Sequence, residues 1–170
     1  YEDANSFTDG KAFVMQNGER FQIDKSGNRI GKIPVRYDIK EPDREGLIKV
    51  MKGGLYGFIN NKDSVIIPLQ YLWASDFIEE LSLVQKIKFG FIDKTGKVII
   101  PFIYDGGNNF YEGWALMKKD RYWGFIDKKG NTVIEFKYDN ILKGFTNGIA
   151  EVKLNGEIIK INKSGEKVSQ

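Results

Sequence analysis

The sequence contains neither histidine nor cysteine among its 170 residues. Without histidine it lacks the side chain that most often acts as a general acid or base near neutral pH. Without cysteine it has no disulfide, no thiol nucleophile and none of the thiolate ligands of most structural zinc sites. We therefore expect no catalytic residues, no metal and no cofactor, and we interpret the protein as a non-enzyme.

Long apolar runs and excess charge of one sign are also missing. No run approaches the roughly 18–20 apolar residues of a membrane span, so we expect no membrane insertion. Lysine and arginine number 26 against 23 acids, a net charge of +3, and the two signs are interspersed. So weak a charge argues against nucleic acid as a partner. The lack of cysteine fits a cytosolic or an exported protein, and composition leaves the location open.

Tyrosines recur at a nearly constant interval along the chain. Tyr1, Tyr37, Tyr71, Tyr104 and Tyr138 are separated by 36, 34, 33 and 34 residues. Six or seven residues after each tyrosine comes a phenylalanine or an aspartate, namely Phe7, Asp43, Phe77, Phe110 and Phe145. Such a period predicts a tandem array of one structural unit. We divide the chain into repeats 1 to 5, at about 1–36, 37–70, 71–103, 104–137 and 138–170, within one domain over 1–170.

Each repeat is predicted to be a three-stranded antiparallel meander. In repeat 4, Ala115 and Met117 share one face of the first strand, because side chains alternate across a strand. The turn after the first strand is Asn17-Gly18, Gly53-Gly54 or Asn155-Gly156, with Asp120-Arg121 in repeat 4. Asn-Gly and Gly-Gly predict a type I′ hairpin. Repeat 3 has Lys86-Ile87-Lys88 there, so its turn must differ.

A second turn recurs in all five repeats. It starts at Asp24, Asn60, Asp93, Asp127 or Asn162 and ends three residues later at glycine, or once at Asp63. These acids resemble a row of calcium ligands, but asparagine replaces them and lysine usually follows, so we interpret them as turn formers. The lysines Lys25, Lys94, Lys128 and Lys163 are then predicted to form a solubilising edge of the array.

Prolines and paired glutamates complete the local pattern. Pro34, Pro68 and Pro101 lie three residues before a tyrosine and are predicted to end the third strand, leaving Tyr-Asp as a linker. Glu79 and Glu80 are interpreted as strand neighbours on opposite faces, and therefore as solvated side chains and not an acid pair.

The middle strand carries a recurring motif whose fullest copy is Trp123-Gly124-Phe125-Ile126-Asp127. Repeats 2 and 3 have Tyr56-Gly57-Phe58-Ile59-Asn60 and Phe89-Gly90-Phe91-Ile92-Asp93. With this motif, the chain resembles the bacterial WG-repeat (KWG-repeat) proteins over essentially its whole length. The resemblance implies a β-repeat scaffold with no catalytic residues to transfer. It also implies a bacterial protein, exported or in the cell envelope in preference to cytoplasmic.

The end repeats favour an open, solenoid-like array. Phe58, Phe91 and Phe125 occupy one position in the inner repeats, where the end repeats have Gln22 and Lys160. A terminal repeat of an open array needs a polar outer face, whereas every unit of a ring has two neighbours. A five-bladed β-propeller is the alternative, because the chain holds a nearly whole number of units.

Aromatic and cationic side chains in variable positions are the candidate partner-binding surface. They are Trp73, Tyr111, Trp114, Lys118, Arg121 and Tyr122. Tyrosine, tryptophan and arginine are enriched at binding anchors. The alternative is that these side chains cover the seams between repeats. We therefore expect a binding scaffold for a protein or a glycan, or else a structural spacer of a longer exported protein. The sequence leaves the oligomeric state open.

Overall fold

The computed structural model describes residues 1–16, 19–32, 36–42 and 45–168. In these residues all regular structure is β, arranged as five antiparallel sheets, and none of these sheets closes into a barrel. The predicted all-β array of meander repeats is confirmed. By its contacts the chain divides into two compact units, Tyr1–Arg36 and Tyr37–Gln170, and the division lies between repeats 1 and 2.

Strands follow one another across each sheet in chain order. Sheet 1 contains β1 (Asp3–Ala4), β2 (Lys11–Gln16), β3 (Glu19–Asp24) and β4 (Arg29–Lys32). Sheet 2 contains β5 (Ile39–Pro42), β6 (Ile48–Lys52), β7 (Leu55–Ile59) and β8 (Val65–Tyr71). Sheet 3 contains β9 (Trp73–Ala74), β10 (Leu81–Gln85), β11 (Phe89–Asp93) and β12 (Val98–Tyr104). Sheet 4 contains β13 (Gly106–Gly107), β14 (Trp114–Lys119), β15 (Tyr122–Asp127) and β16 (Thr132–Tyr138). Sheet 5 contains β17 (Asn140–Thr146), β18 (Ile149–Leu154) and β19 (Glu157–Asn162).

The segment after each tyrosine forms a strand of its own, which the sequence interpretation treated as a linker. This leading strand pairs with the first meander strand, as β13 does with β14, so sheets 1 to 4 have four strands. The aspartate after the tyrosine connects the start of the leading strand to the tip of the first hairpin. The backbone N–H of Asp120, at the tip of the β14–β15 hairpin, donates to Oδ2 of Asp105 at 2.9 Å. Asp38 accepts from Gly53, and Asp139 from Gly156, in the same way.

The predicted type I′ hairpins after the first meander strand, and the predicted difference in repeat 3, are confirmed where the structure describes them. The two central residues have positive φ in each long hairpin, including Asp120 at 48° and Arg121 at 70°, as a type I′ turn requires. In repeat 3 the shorter turn closes differently, with the Lys86 N–H bonded to the Lys88 carbonyl. Leu72 replaces the aspartate after the tyrosine in this repeat. Asn17-Gly18 lies outside the described residues.

The prediction that proline ends the third strand is wrong. Strand β8 runs through Pro68 and β12 through Pro101, and both continue to the next tyrosine. The reason is a bulge: Phe58 pairs with Ile67 and Tyr56 with Tyr71, so Gly57 alone lies opposite three residues of β8. Within this irregular stretch the register is broken, so the missing proline N–H leaves no gap in a regular ladder. Pro34 lies outside the described residues.

The core of the second unit lies between successive sheets, which stack face to face. Ala115 and Met117 are fully buried against sheet 3, whereas Phe125 on the other face of sheet 4 packs against sheet 5. In repeats 3, 4 and 5, the phenylalanine that follows the tyrosine fills a seam between sheets. Its ring centroid lies 4.9 Å, 4.7 Å and 4.9 Å from a middle-strand phenylalanine in the pairs Phe58–Phe77, Phe91–Phe110 and Phe125–Phe145. The three seams of the second unit therefore contain equivalent phenylalanine pairs.

The last sheet of this stack has an exposed outer face, as expected of a terminal sheet. On the outer face of sheet 5, Ile158 is 65% exposed and Lys160 is exposed. The opposite face, with Val152 and Ile161, is fully buried against sheet 4. These positions fit the open array. Sheet 1 has a small core of its own, formed by Ala12, Val14, Phe21 and Ile23.

Candidate binding clefts and inter-repeat ion pairs

The recurring acids are turn formers, as predicted. Oδ1 of Asp127 accepts the backbone N–H groups of Lys129 at 2.8 Å and of Asn131 at 2.9 Å. The same pair of bonds is made by Asp24, Asn60, Asp93 and Asn162. The side-chain hydrogen bond from Asn131, with these N–H groups, lowers the pKa of Asp127. Among the described residues no group of three or more acids could hold a metal ion.

A second set of carboxylates connects neighbouring sheets. Glu79 of repeat 3 lies 2.9 Å from Nζ of Lys128 in repeat 4 and accepts the backbone N–H of Gly113 at 3.1 Å. Glu45 contacts Lys94 at 2.9 Å and the Glu80 N–H at 3.2 Å, and Glu112 contacts Lys163 at 2.9 Å. The hydrogen bond from Lys94 lowers the pKa of Glu45. We call these three contacts the seam ion pairs.

Two sequence interpretations need correction here. Glu79 and Glu80 are not strand neighbours: their φ angles are 53° and 76°, and they are the central residues of a tight turn before β10. The turn lysines Lys94, Lys128 and Lys163 are not simply a solvated edge, because each pairs with a glutamate of the preceding repeat. The sequence does contain a signal for these ion pairs, because Glu45, Glu79 and Glu112 recur at the repeat interval.

The six candidate surface residues fall into two groups. Trp114 begins β14 and pairs with Asp127, whereas Lys119, at the other end of the strand, pairs with Tyr122. Five residues of extended strand separate these ends by about 16 Å. Tyr111 pairs with Trp114, so these two form one group, and Lys118, Arg121 and Tyr122 form another. Trp73 lies opposite Gln85 in sheet 3 and joins the first group through a groove that it lines together with Tyr111. The structure does not bring all six into one surface.

The second group covers its own hairpin. Nζ of Lys118 lies 5.8 Å from the ring centroid of Trp123. The Arg121 guanidinium lies 5.2 Å from the Tyr122 ring and donates a hydrogen bond to the Tyr122 hydroxyl at 3.3 Å. These cation–π contacts are local, and exposed examples contribute about 0.5–1 kcal/mol each.

Tyr111 and Trp114 of the first group border a cleft of about 350 Å³ at the seam between sheets 4 and 5. Its lining includes Tyr111, Trp114, Phe145 and the ion pair of Glu112 with Lys163. Trp114 packs edge-to-face on Phe145 with centroids 5.6 Å apart, and Nζ of Lys163 lies 5.4 Å from its ring. Trp114 thus covers a seam, whereas Tyr111 is 68% exposed.

A more open groove of about 630 Å³ lies at the preceding seam, between sheets 3 and 4. Its lining includes Ile78, Leu83 and Trp73, which is 41% exposed and packs edge-to-face on Phe89. Three residues line both the cleft and the groove, namely Asn108, Asn109 and Tyr111. The two depressions therefore flank one short segment before β14, and we call them the cleft and the groove.

Asn109 is the functional candidate that sequence reasoning missed. Its Oδ1 is buried and has no hydrogen-bond partner among the described residues. Leaving a buried acceptor unpaired costs about 1–3 kcal/mol, so such an atom calls for an explanation. Nothing in the sequence distinguished Asn109 from its neighbour Asn108.

Comparison with known families agrees with this architecture. The family model described as WG containing repeat matches residues 1–19, 56–86, 89–123 and 123–157, which is more than half of the chain. Comparison with curated proteins finds no match. Across the described ranges, no helix has the length and apolar character needed to cross a membrane.

Proposed function

Since the chain belongs to the family of WG-containing repeat proteins, we propose that this repeat module is a non-catalytic interaction scaffold. Its ligand, a protein segment or a glycan, contacts the cleft and the groove beside Tyr111. One observation carries the proposal: an aromatic ring that is 68% exposed borders two depressions and adjoins a buried acceptor without a partner. Exposed tyrosine and tryptophan next to a few polar groups are typical of binding sites.

The non-catalytic part rests on how the titratable groups are used. The chain has no histidine and no cysteine. Asp127 is occupied by backbone N–H groups of its own turn, and Glu79 by Lys128 and Gly113. The Asn131 side chain and the turn N–H groups lower the pKa of Asp127, so this carboxylate is a poor general acid or base at neutral pH.

A spacer role is the second candidate, and the seam ion pairs favour it. Contacts such as Glu79 with Lys128 align one sheet on the next without creating a surface for a partner. A module that acts only as a rigid spacer needs such contacts and needs no exposed aromatic ring. Tyr111 is the residue that separates the two roles, because it contributes little to the core.

The experiment is selection of ligands by the wild-type chain with Tyr111→Ala as counter-selection. A glycan array and a phage-displayed peptide library serve as the two probes. The scaffold role predicts ligands that bind wild type and lose at least tenfold in affinity with Tyr111→Ala, while Tm changes little. Tyr122→Ala, at the far end of the β14–β15 hairpin, is the matched control and should retain binding. If neither library yields a ligand that depends on Tyr111, the scaffold proposal is wrong.

A further inference from the structure

We propose that the cleft and the groove bind an uncharged linear oligosaccharide, with one sugar ring on either side of Tyr111. This inference rests on the proposed scaffold function and specifies its ligand. Asn108, Asn109 and Tyr111 line both depressions, so a single extended ligand can contact all three while occupying both.

The aromatic residues suit the apolar face of a pyranose ring. Tyr111 and Trp73 border the groove and are 68% and 41% exposed, and Trp114 borders the cleft. An aromatic face is electron-rich, and the axial C–H groups on one side of a pyranose carry partial positive charge. Stacking of sugar on ring therefore buries apolar area from both partners and leaves the equatorial hydroxyls at the edge.

The polar groups suit those hydroxyls. Asn109 lines both depressions, and its Oδ1 is a buried acceptor without a partner among the residues that the structure describes; a sugar hydroxyl is a donor of the kind that this acceptor lacks. Asn108 adjoins it and is exposed, so its carboxamide can both donate and accept. The acceptor of Asn109 and the carboxamide of Asn108 can hydrogen-bond two neighbouring sugar hydroxyls, whereas an apolar side chain would leave both without partners.

The charge distribution favours a neutral ligand. Glu112 and Lys163 are the charged residues that line the cleft, and they pair with each other at 2.9 Å. Lys163 also lies over the Trp114 ring. The described residues that line the groove include no charged side chain. A ligand of either charge would have to compete with the existing pair, whereas a neutral sugar leaves it intact.

The strand edges at this surface argue against a peptide bound by strand addition. That mode needs a regular row of free N–H and C=O groups. Strand β17, the edge of sheet 5, has broken register on both sides of Lys143. Strand β13, the edge of sheet 4, consists of Gly106 and Gly107 alone. Neither edge offers a long template, so recognition by side chains is favoured.

The test is titration of the ¹⁵N-labelled chain with neutral oligosaccharides, followed by NMR. The probes are the hexamers of cellulose, chitin, xylan, mannan and amylose, each up to millimolar concentration. We expect at least one to shift the amide signals of 106–114 and 141–146. The corresponding monosaccharide should bind at least tenfold more weakly, because a single ring cannot contact both depressions.

Variants assign the binding to this surface. Tyr111→Ala, Trp73→Ala and Asn109→Ala should each weaken binding at least tenfold, whereas Tyr111→Phe should retain it because the ring and not the hydroxyl is required. Tyr122→Ala is the control that should bind as wild type. Unchanged Tm for Tyr111→Ala shows that its loss of affinity is not unfolding.

Three results would overturn the inference. One is no shift in these segments with any of the hexamers. The second is binding only by an anionic probe such as a hexamer of galacturonate, abolished by salt. The third is a displayed peptide that requires Tyr111 while the hexamers do not bind; that result would leave the scaffold function standing and remove only its glycan ligand. Failure of peptides and glycans alike would remove both.

Discussion

Lys128 Nζ lies 2.9 Å from Oε2 of Glu79, and the two residues belong to neighbouring sheets. Glu79 is contributed by the turn before β10 and Lys128 by the turn after β15. The pairs Glu45–Lys94 and Glu112–Lys163 repeat this relationship at the other two seams of the second unit. Repeats 2, 3 and 4 thus each contribute a glutamate that pairs with a lysine in the aspartate or asparagine turn of the next repeat.

Removing the Glu79 carboxylate should loosen the seam between sheets 3 and 4. Glu79→Ala loses the Lys128 contact and leaves the Gly113 N–H without its acceptor. Both side chains are partly exposed, 43% for Lys128 and 27% for Glu79, so the loss should be only about 1 kcal/mol. Urea unfolding measures it.

A double-mutant cycle of Glu79→Ala with Lys128→Met isolates the ion pair. The coupling should be about 0.5 kcal/mol and should shrink in 1 M NaCl, where the Debye length is about 3 Å. Lys129→Met is the matched control, since Lys129 is adjacent and exposed. Equal coupling of Glu79 to Lys129 and to Lys128 would contradict the seam contact.

The glycine of the middle-strand motif should tolerate no side chain. A Cβ at Gly124 would lie 2.7 Å from the Ile134 carbonyl oxygen and 3.0 Å from the Phe136 ring. The bulge in β16 places this backbone against the glycine, and overpacking of this kind typically costs about 1–3 kcal/mol. Gly124→Ala should therefore lower Tm by several degrees.

Gly144→Ala is the control for that variant. It lies in β17, and no atom is within 4 Å of its Cβ position. Its unfolding free energy should change by no more than about 0.5 kcal/mol. Similar destabilisation by both substitutions would show that close approach at Gly124 is not the cause.

Glu80→Gly should stabilise the protein. Glu80 has a φ of 76°, and the equivalent positions in the other repeats are Gly10, Gly46, Gly113 and Gly148. A left-handed conformation costs a residue with a side chain about 1–2 kcal/mol, partly offset by the extra chain entropy of glycine. We expect a net gain of about 0.5–1 kcal/mol in urea unfolding. Glu135→Gly, in a strand with ordinary φ, should instead destabilise, and a gain there would contradict the explanation.

Acid should destabilise the fold through the turn aspartates. The Asn131 side chain and the turn N–H groups lower the folded-state pKa of Asp127 below its ordinary value of about 3.9. The stabilisation is therefore complete above that value and is lost as pH falls through the folded-state pKa. Asp127→Asn keeps an acceptor, as Asn60 does, but does not titrate.

The comparison is urea unfolding of wild type and variants at pH 6 and at pH 3. Asp127→Asn should lose less stability than wild type between these two values. The reverse change, Asn60→Asp, should lose more. If both variants lose as much stability as wild type between pH 6 and pH 3, these turns do not contribute to the acid sensitivity.

Several local features of the fold were predictable because their chemistry involves only a few adjacent residues. The type I′ hairpin at Asn155-Gly156 and the turn at Asp127 follow from residues next to one another in the chain, and both are confirmed. The alternation that buries Ala115 and Met117 follows from strand geometry. Pro68 was misjudged because its effect depends on the bulge opposite Gly57, which a partner strand creates.

The candidate site was predictable only in part. Exposed aromatic residues in variable positions identified Tyr111, Trp73 and Trp114, which the structure places around two adjoining depressions. Lys118, Arg121 and Tyr122 belong instead to the far hairpin tip, although all six lie within two repeats. Asn109 could not be identified, because an unpaired buried acceptor is a property of surroundings and not of residue type.

The sequence by itself determined the repeat, its turns and the inward face of each strand, because backbone conformation and side-chain alternation depend on near neighbours. The tertiary structure decided which glutamate meets which lysine and how the seams form depressions beside Tyr111. Those contacts join residues about 50 positions apart, such as Glu79 and Lys128, and arise only when one sheet packs on the next.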